Sequence, residues 1–405
     1  MSRNQKKKGC GCSSIPLSLI VVLLGGGYFL FTQRESLGIN KFLASNLPEN
    51  IPFISSPSPE ATIATPTPLP KTPLPKSNQK PSSPTVKPTP QPNTPEKTAL
   101  KTTATPQTPW QKKAIRGIYL SRYQVTNNAS EQTIRERVRY YKSKGFNTLI
   151  HGVWGNACTM YKSDVMQKTL GYESCPNEFQ EQWLTWLIDE AHKQGMEVHA
   201  YFEKGIKIDE NSPVFDLAVE KGWLVPGIDR THAGVDHYVL DVEIPEVANF
   251  FTNILVEFVK KYPAIDAVQW DDYLGYHAEL PGKVDRTAKL TKFVQKMIGA
   301  MKKANPKVNF DLCHHNPYWA KKYFAADWKT WDVDRVFIQV YGEDKFNDEL
   351  NYVRENDGIA ITERQFKELE GLIDDSQVES ILLFPLSGKP EQEAASLHKL
   401  VTDKK

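Results

Sequence analysis

Residues 264–276 read A-I-D-A-V-Q-W-D-D-Y-L-G-Y, an apolar run that ends in two adjacent acids. This composition is typical of a buried strand, so Asp271 and Asp272 are predicted where that strand meets a loop. In a barrel of parallel strands, the carboxyl ends of the strands carry the reactive groups. The stretch therefore predicts both a core strand and the place of a functional site.

Strand-like and helix-like segments alternate on both sides of this stretch. Such regular alternation indicates a parallel sheet with right-handed crossovers, and eight units in about 290 residues fit an α/β protein of the (β/α)8 TIM-barrel class over residues 111–403. No glycine-rich phosphate loop follows any strand, which argues against a nucleotide-binding open sheet. The predicted strands are 114–121, 146–153, 196–202, 264–270, 308–313, 335–341, 381–386 and the weakly patterned 358–362. The predicted helices are 131–144, 180–194, 245–261, 289–304, 319–331 and 391–402.

The N-terminal part of the chain has a different composition. Residues 1–14 are basic and are predicted to be a cytoplasmic tail. Residues 15–31 carry no charge and at 1.5 Å per residue reach roughly 26 Å, near the lower limit for a bilayer. We predict a single transmembrane anchor over 15–32, with a cleaved signal peptide as the alternative. The basic side stays cytoplasmic, so the remainder is expected outside, facing the periplasm or the wall.

Residues 33–110 are predicted to be a disordered linker rich in proline and threonine. More than half of the chain's 28 prolines lie there, and such a segment has too little apolar surface to fold. The formal charge of +2 implies no nucleic-acid partner. Five cysteines do not make a disulfide framework, although outside the cytoplasm Cys158 and Cys175 could pair across the loop after the second strand.

Carboxylates at the ends of neighbouring strands are the candidate catalytic groups. Strand alternation puts Gln269 and Asp271 on one face, and a carboxylate in a barrel mouth suits a nucleophile or a stabiliser of an oxocarbenium-like transition state. A glycosidase also needs a carboxyl that donates a proton. Glu203, Asp344 and Glu363 are the alternatives for that role. Capping or ion pairing is the competing interpretation of all these acids.

Neutral and aromatic side chains near the same strand ends suit sugar hydroxyls and sugar faces. His314 and His315 raise the alternative of a metal, but the first strand continues as Y-L-S-R-Y without the H-x-H of a barrel metallohydrolase. We therefore predict no metal and no cofactor. The candidate substrate-binding residues are Gln269, Asn316, Gln339, Tyr341, Tyr273, Trp154 and His199.

Several ordered motifs resemble one known group, the glycosyl-hydrolase-like family 10 proteins (the DUF187 domain). They are Y-K-S (161–163), E-A-H-K-Q-G (190–195), V-H-A-Y-F-E-K-G (198–205), I-P-E-V (244–247), D-A-V-Q-W-D-D-Y (266–273), H-N-P (315–317), D-W (327–328) and I-Q-V-Y (338–341). The resemblance implies an extracytoplasmic barrel glycosidase acting on bacterial wall glycan. It supports Glu203, Asp271, Asp272, Asn316, Gln339, Tyr341 and Asp344 as site residues. The chain departs from the family at residues 273–276 and in a short stretch between strands six and eight.

The sequence thus predicts a membrane-anchored glycoside hydrolase whose substrate is peptidoglycan or another polysaccharide. In this interpretation Asp271 attacks or stabilises the anomeric centre, and Glu203 or Asp344 is the general acid. The alternative is a non-catalytic glycan-binding barrel tethered to the membrane.

Overall fold

Eight parallel strands close into a barrel in the part of the chain that the structure describes. The structure is a computed structural model that describes residues 107–120, 127–174, 176, 179–229, 236–276, 286–342 and 345–403. Each strand pairs with the next, and the eighth pairs with the first, which closes the ring. The strands are β1 (Arg116–Leu120), β2 (Thr148–Gly155), β3 (Glu197–Phe202), β4 (Ala267–Trp270), β5 (Asn309–His314), β6 (Arg335–Gln339), β7 (Gly358–Ile361) and β8 (Ile381–Leu383). The predicted barrel is confirmed, including β7, which pairs with both β6 and β8.

A helix of the outer ring follows each strand, and shorter helices, Asp164–Leu170 and Phe215–Glu220, lie in the loops after β2 and β3. Local signals in the sequence set several of their ends: Ser130 caps the first helix by accepting from the Thr133 N–H, and Pro245 occupies the first turn of the third. The helices are α1 (Glu131–Ser143), α2 (Trp183–Lys193), α3 (Pro245–Lys261), α4 (Arg286–Ala304), α5 (Pro317–Phe324), α6 (Phe346–Arg354), α7 (Leu369–Asp374) and α8 (Pro390–Thr402).

The predicted helix over residues 319–331 is wrong in extent. Helix α5 ends at Phe324 because Ala325 adopts a left-handed backbone, with φ of 55°, and its N–H returns to the Ala320 carbonyl. A separate 3-10 turn, Trp328–Thr330, follows. Aromatic residues on both sides of the break continue the helical spacing, so the sequence pattern hides the turn.

The inside of the barrel is filled by alternate residues of the strands. A central cluster takes side chains from seven strands and consists of Ile115, Tyr119, Ile150, Tyr201, Cys313, Phe337, Ala360 and Leu382. On the outer face, Trp270 stacks on Phe202 with ring centroids 4.9 Å apart. This alternation turns the odd-numbered positions of β4 inward, so Asp271 continues the inward-facing row.

Two long loops lie over the carboxyl end of the barrel, as predicted. After β2, Cys158–Thr159 folds back antiparallel to the strand end. After β3, Lys207–Ile208 pairs with Tyr238–Val239. Asn156 joins the loops, because its side-chain oxygen accepts from the Asp209 N–H at 2.8 Å. Asn156, Ala157 and Lys204 all have positive φ, and backbone strain of this kind is common around functional sites.

The predicted tail and anchor, and the predicted linker up to residue 106, lie outside the described residues. The last residues assigned to the linker belong to the barrel domain instead, because Pro109–Lys112 is a short helix and Trp110 is buried in the core. Within the part of the chain that is described, no helix is long and apolar enough to cross a membrane. The anchor over 15–32 therefore stays a prediction.

Candidate active site

Asp271 follows the last residue of β4 and is buried in the barrel mouth. Its Oδ2 accepts a hydrogen bond from the Tyr201 hydroxyl, and its Oδ1 accepts from the Tyr273 N–H at 3.0 Å. Burial, reinforced by the neighbouring charge of Asp272, raises the pKa of Asp271 to about 8. Burial and the neighbouring acid thus favour the protonated form of Asp271 more than water does for a free aspartate.

Asp272 lies in a different environment, although it is the next residue. Its Oδ2 is 3.5 Å from Nε2 of His315. Burial acts to raise the pKa of Asp272, but the hydrogen bond and charge of His315 and the ammonium of Lys207 outweigh it and hold that pKa below its usual range. Asp272 is thus an ionised, buried carboxylate.

The surroundings of the two adjacent acids shift their pKa values in opposite directions. Pairs of carboxyls whose environments push their pKa values apart serve as acid and charge stabiliser in glycosidic bond cleavage. The raised pKa of Asp271 favours a proton donor rather than the nucleophile or charge stabiliser that the sequence predicts. The negative charge of Asp272 suits the stabilisation of positive charge beside it.

Sequence reasoning missed the buried ion pair behind these acids. Nζ of Lys207 lies 2.9 Å from Oδ2 of Asp229, and both side chains are fully buried. The same ammonium is 4.9 Å from the ring centroid of Tyr273. The only signal in the sequence is a lysine between Ile206 and Ile208, in a segment that alternates as a buried strand does.

A close turn brings this loop against the acids. Gly205 has φ of 46°, and a Cβ there would lie 2.5 Å from the Tyr273 carbonyl oxygen. Only glycine combines that backbone with that approach. The motif F-E-K-G thus fixes how the loop after β3 meets the turn after β4.

Aromatic rings and a second carboxyl wall the mouth. The ring of Tyr119 is 5.2 Å from that of Tyr201 and 5.4 Å from that of Phe384, and Tyr341 stacks on Phe384 at 5.7 Å. Glu203 is partly buried and lines a cavity of about 70 Å³ with Tyr119, Tyr201 and Phe384. The structure therefore brings Glu203 to the ring whose hydroxyl binds Asp271.

The hydroxyl of Tyr341 faces the same groups. Burial raises its pKa well above its usual value, and the charges of Cys313, Asp272 and Asp271 add to the shift. Gln339, two residues earlier on β6, is buried at the same strand end. Both predicted substrate-binding residues therefore lie at the carboxyl end of the barrel.

Gln269 lies inside the barrel beneath Asp271, opposite Tyr201 in register. The side chain is fully buried, and neither its Oε1 nor its Nε2 has a hydrogen-bond partner among the described residues. Buried amides are normally hydrogen-bonded. Gln269 is thus an amide in the barrel interior without a hydrogen-bond partner among the described residues, directly beneath Asp271.

Two predicted residues have structural partners at the mouth. Asn316 caps α5, with Oδ1 accepting from the Trp319 N–H at 2.9 Å, and its Nδ2 donates to Glu349 Oε1 at 2.7 Å. Glu363 accepts from the N–H groups of Leu386 and Ser387 and fixes the loop after β8. The first orients the β5 end, and the second is committed to backbone contacts rather than proton donation.

The structure does not place Trp154 or His199 in the mouth. Trp154 is buried outside the barrel, where it packs on Phe202 and Phe251 and donates to the Gly205 carbonyl at 3.0 Å. The sequence does not show this, because an aromatic residue at a strand end packs as readily on a helix as over a sugar. Trp154 is therefore not a stacking platform in this fold.

His199 belongs to an ion cluster deeper in the barrel. Its Nδ1 lies 3.3 Å from Asp311 Oδ2, and its Nε2 lies 2.9 Å from Glu197 Oε2. Arg335 joins both acids, at 2.9 Å to Asp311 and 3.3 Å to Glu197. We call Glu197, His199, Asp311 and Arg335 the lower cluster. His199 is fully buried in this cluster, below the strand ends at which the predicted sugar contact would lie.

Two predicted residues, Asp344 and Cys175, lie outside the described residues. Cys158 is disulfide-bonded. Within the described part of the chain, no group of three or more His, Cys, Asp and Glu side chains is arranged to hold a metal ion. His314 is buried, and burial together with His315 lowers its pKa to about 3.

The fold and the acids define a (β/α)8 barrel with a carboxyl site at the carboxyl ends of its strands. Residues 114–285 match the model of the family Glycosyl hydrolase-like 10, which confirms the resemblance predicted from the motifs. Glycosyl hydrolase DigH of Escherichia coli K12 is 30% identical over 172 residues, covering 38% of this chain and 36% of that protein. The same protein of Shigella flexneri matches equally. The chain thus spans little more than a third of the length of these curated relatives.

Solved structures with similar folds are more distant. An α-amylase from Lactobacillus plantarum has a TM-score of 0.45 at 11% identity, over 74% of this chain and 81% of its own. The α-galactosidase AgaA from Geobacillus stearothermophilus has a TM-score of 0.44 at 13% identity, over 72% of this chain and 42% of its own. At TM-scores this low, neither likeness bears on the activity of this chain.

Proposed function

We propose that this barrel is a glycoside hydrolase in which Asp271 protonates the oxygen of the leaving sugar. One observation carries the proposal: two adjacent carboxyls are buried at the end of β4, and their surroundings raise the pKa of Asp271 while lowering that of Asp272. Binding modules do not need a carboxyl with a raised pKa, whereas general acids do. The match of residues 114–285 to a glycosyl hydrolase-like family supports the same conclusion.

The bond changes follow from the positions of the acids. The bond between the anomeric carbon and the leaving oxygen breaks as the Asp271 proton passes to that oxygen. The positive charge that develops on the sugar is stabilised by Asp272. Glu203 is the second reacting carboxyl, either as the base that takes a proton from water or as the nucleophile. The rings of Tyr119, Tyr341 and Phe384 form the walls on which sugar faces pack.

The proposed substrate is a polysaccharide outside the cytoplasm, with peptidoglycan glycan strands the first choice. This part rests on the predicted anchor over 15–32 and linker over 33–110, which would hold the barrel at a distance from the membrane. The proposed location is the cell membrane, with the barrel facing the periplasm or the wall. No cofactor takes part in the proposed reaction.

The first test is the release of reducing ends from purified peptidoglycan, with and without its stem peptides. The full chain in mild detergent is compared with Asp271→Asn and with the control Asp189→Asn, which changes an exposed acid on α2. We expect the wild type and the control to release ends and Asp271→Asn to lose about 10²- to 10⁴-fold in rate. If no protein releases ends and all bind the glycan, the tethered binding barrel replaces the hydrolase.

The second test separates the roles of Asp271 and Glu203. An aryl glycoside with a dinitrophenolate leaving group needs no protonation. If Asp271 is the general acid, Asp271→Asn therefore retains turnover of this substrate while losing turnover of the natural glycan. Loss of both would make Asp271 the nucleophile. The anomeric configuration of the first product of the wild type assigns the role of Glu203, because retention indicates a nucleophile and inversion indicates a base that activates water.

A further inference from the structure

Helix α5 carries three aromatic residues on and near its outer surface. Tyr318 is 63% exposed, the most exposed large hydrophobic side chain of the described residues. Trp319 and Tyr323, one helical turn apart, have ring centroids separated by 4.4 Å. Ala320 and Phe324 are the buried residues of this helix. The core contact of α5 therefore does not require Tyr318, and Trp319 and Tyr323 are only partly covered.

These rings continue directly from the acids of the mouth. His315 is 3.5 Å from Asp272, and its ring centroid is 6.3 Å from that of Trp319. Lys345, which follows β6, holds its Nζ 4.4 Å from the Trp319 centroid. An aromatic surface thus leads outward from the ends of β5 and β6.

Lysine ammonium groups lie against the same rings. Nζ of Lys322 is 4.9 Å from the Tyr323 centroid and 5.5 Å from the Tyr318 centroid. Exposed contacts of this kind stabilise by only about 0.5–1 kcal/mol. An ammonium can therefore turn from a ring to a ligand carboxylate at small cost. Helix α5 therefore presents aromatic rings, which can pack on sugar faces, next to ammonium groups, which can pair with carboxylates.

We propose that Tyr318, Trp319, Lys322, Tyr323 and Lys345 form a shelf that binds a carboxylate-bearing sugar of the polysaccharide, beyond the residues that react. The proposal rests on the proposed function, because it assigns the substrate class of the same site. Its argument is the charge complementarity of the two lysines and the continuity of the rings with Asp272. The shelf selects an acidic glycan over a neutral one of the same backbone.

The test measures binding, so that it does not depend on turnover. All proteins are the full chain with Asp271→Asn. The two probes are peptide-free peptidoglycan glycan strands, which carry a carboxylate on alternate sugars, and chitin oligomers of equal length, which carry none. The variants are Tyr318→Ala and the pair Lys322→Gln and Lys345→Gln. The charge control is Lys260→Gln with Lys303→Gln, at the carboxyl ends of α3 and α4 and thus at the opposite end of the barrel.

We expect the shelf lysine pair to lose up to about tenfold in affinity for the acidic strands at low salt and to leave chitin binding unchanged. Tyr318→Ala should weaken both probes about fivefold or more. The shelf would be overturned if the shelf lysine pair bound the acidic strands as tightly as the charge control does. It would also be overturned if the lysine pair lost equal affinity for the acidic strands and for chitin. A shelf that fails while the wild type still releases reducing ends leaves the hydrolase standing. Selective binding without any release supports the shelf and removes the hydrolase.

Discussion

Both ends of the barrel interior hold buried acids, but the acids have different neighbours at the two ends. In the mouth, Asp271 and Asp272 are adjacent, and their proximity helps to keep a proton on Asp271. In the lower cluster, acids and bases alternate, and Glu197 is held ionised, with a pKa of about 2, chiefly by its hydrogen bond from His199. In the lower cluster Arg335 pairs with both acids, although burial still raises the pKa of Asp311, whereas in the mouth Asp271 has another acid, Asp272, beside it. Opposite charges that offset one another stabilise a fold, whereas like charges held close together are typical of reactive sites.

The two acids make the free energy of unfolding depend on pH in opposite directions. The folded pKa of Asp271, about 8, lies above its unfolded value of 3.8, so this residue's contribution to stability is greatest below pH 4 and is lost as the pH rises to 8. The folded pKa of Glu197, about 2, lies below its unfolded value of 4.5. Its contribution is present above pH 4.5 and is lost as the pH falls to 2.

The largest effect is expected from a substitution in the mouth that lowers turnover without lowering the free energy of unfolding. Asp271→Asn should lose about 10²- to 10⁴-fold in turnover of the natural glycan. Because the amide cannot ionise, the variant should unfold at higher urea than the wild type at pH 9, while the two proteins match at pH 4. A variant less stable than the wild type at pH 9 would show that Asp271 is a structural charge.

The reverse is expected in the lower cluster. Asp311→Ala leaves Arg335 and His199 without their buried partner, 2.9 Å and 3.3 Å away in the intact protein. Removing one member of a buried ion pair typically costs about 3–5 kcal/mol in the free energy of unfolding. Urea unfolding at pH 7 measures this loss, and turnover per folded molecule should stay within about threefold of the wild type. A loss confined to turnover would place the lower cluster in the reaction.

A smaller effect connects the buried cation to the mouth. Since Asp271 must be protonated, kcat/KM should fall above about pH 8. The Lys207 ammonium lowers the pKa of Asp271, so Lys207→Met should move this limb of the pH profile upward, by up to about one unit. Because Lys207→Met alone leaves the buried Asp229 unpaired, the double variant Lys207→Met with Asp229→Asn serves as the control. An unmoved limb in both proteins would disconnect Lys207 from Asp271.

The smallest effect is expected at the exposed edge of the lower cluster. Glu197→Gln removes a group whose side chain is 47% exposed, and solvent screens such pairs. The midpoint of thermal unfolding should therefore fall only slightly at pH 7, where the ionised Glu197 contributes, and should approach that of the wild type as the pH falls toward 3, so that the change between pH 5 and pH 3 is smaller in the variant. An unchanged slope would mean that other groups cause the loss of stability in acid.

Several features of the fold followed from short-range patterns. Alternation in residues 264–270 placed Asp271 at a strand end facing inward, and Ser130 marked the start of α1, because both signals depend on neighbours within one turn or one pleat. The end of α5 did not follow, since the left-handed backbone of Ala325 interrupts a spacing that the sequence continues. Trp154 and His199 were assigned to the mouth because residue type alone does not reveal which layer covers a side chain.

The sequence by itself determined the barrel, the order of its strands and the position of two adjacent acids at the end of β4. It did so because helix and strand periods are local, and because eight units without a glycine-rich phosphate loop favour a closed barrel over an open sheet. The tertiary structure alone decided which acid holds the proton. That depends on burial and on Tyr201, Lys207, Asp229 and His315, which come from other strands and loops, and electrostatic energies follow distance in space rather than separation along the chain.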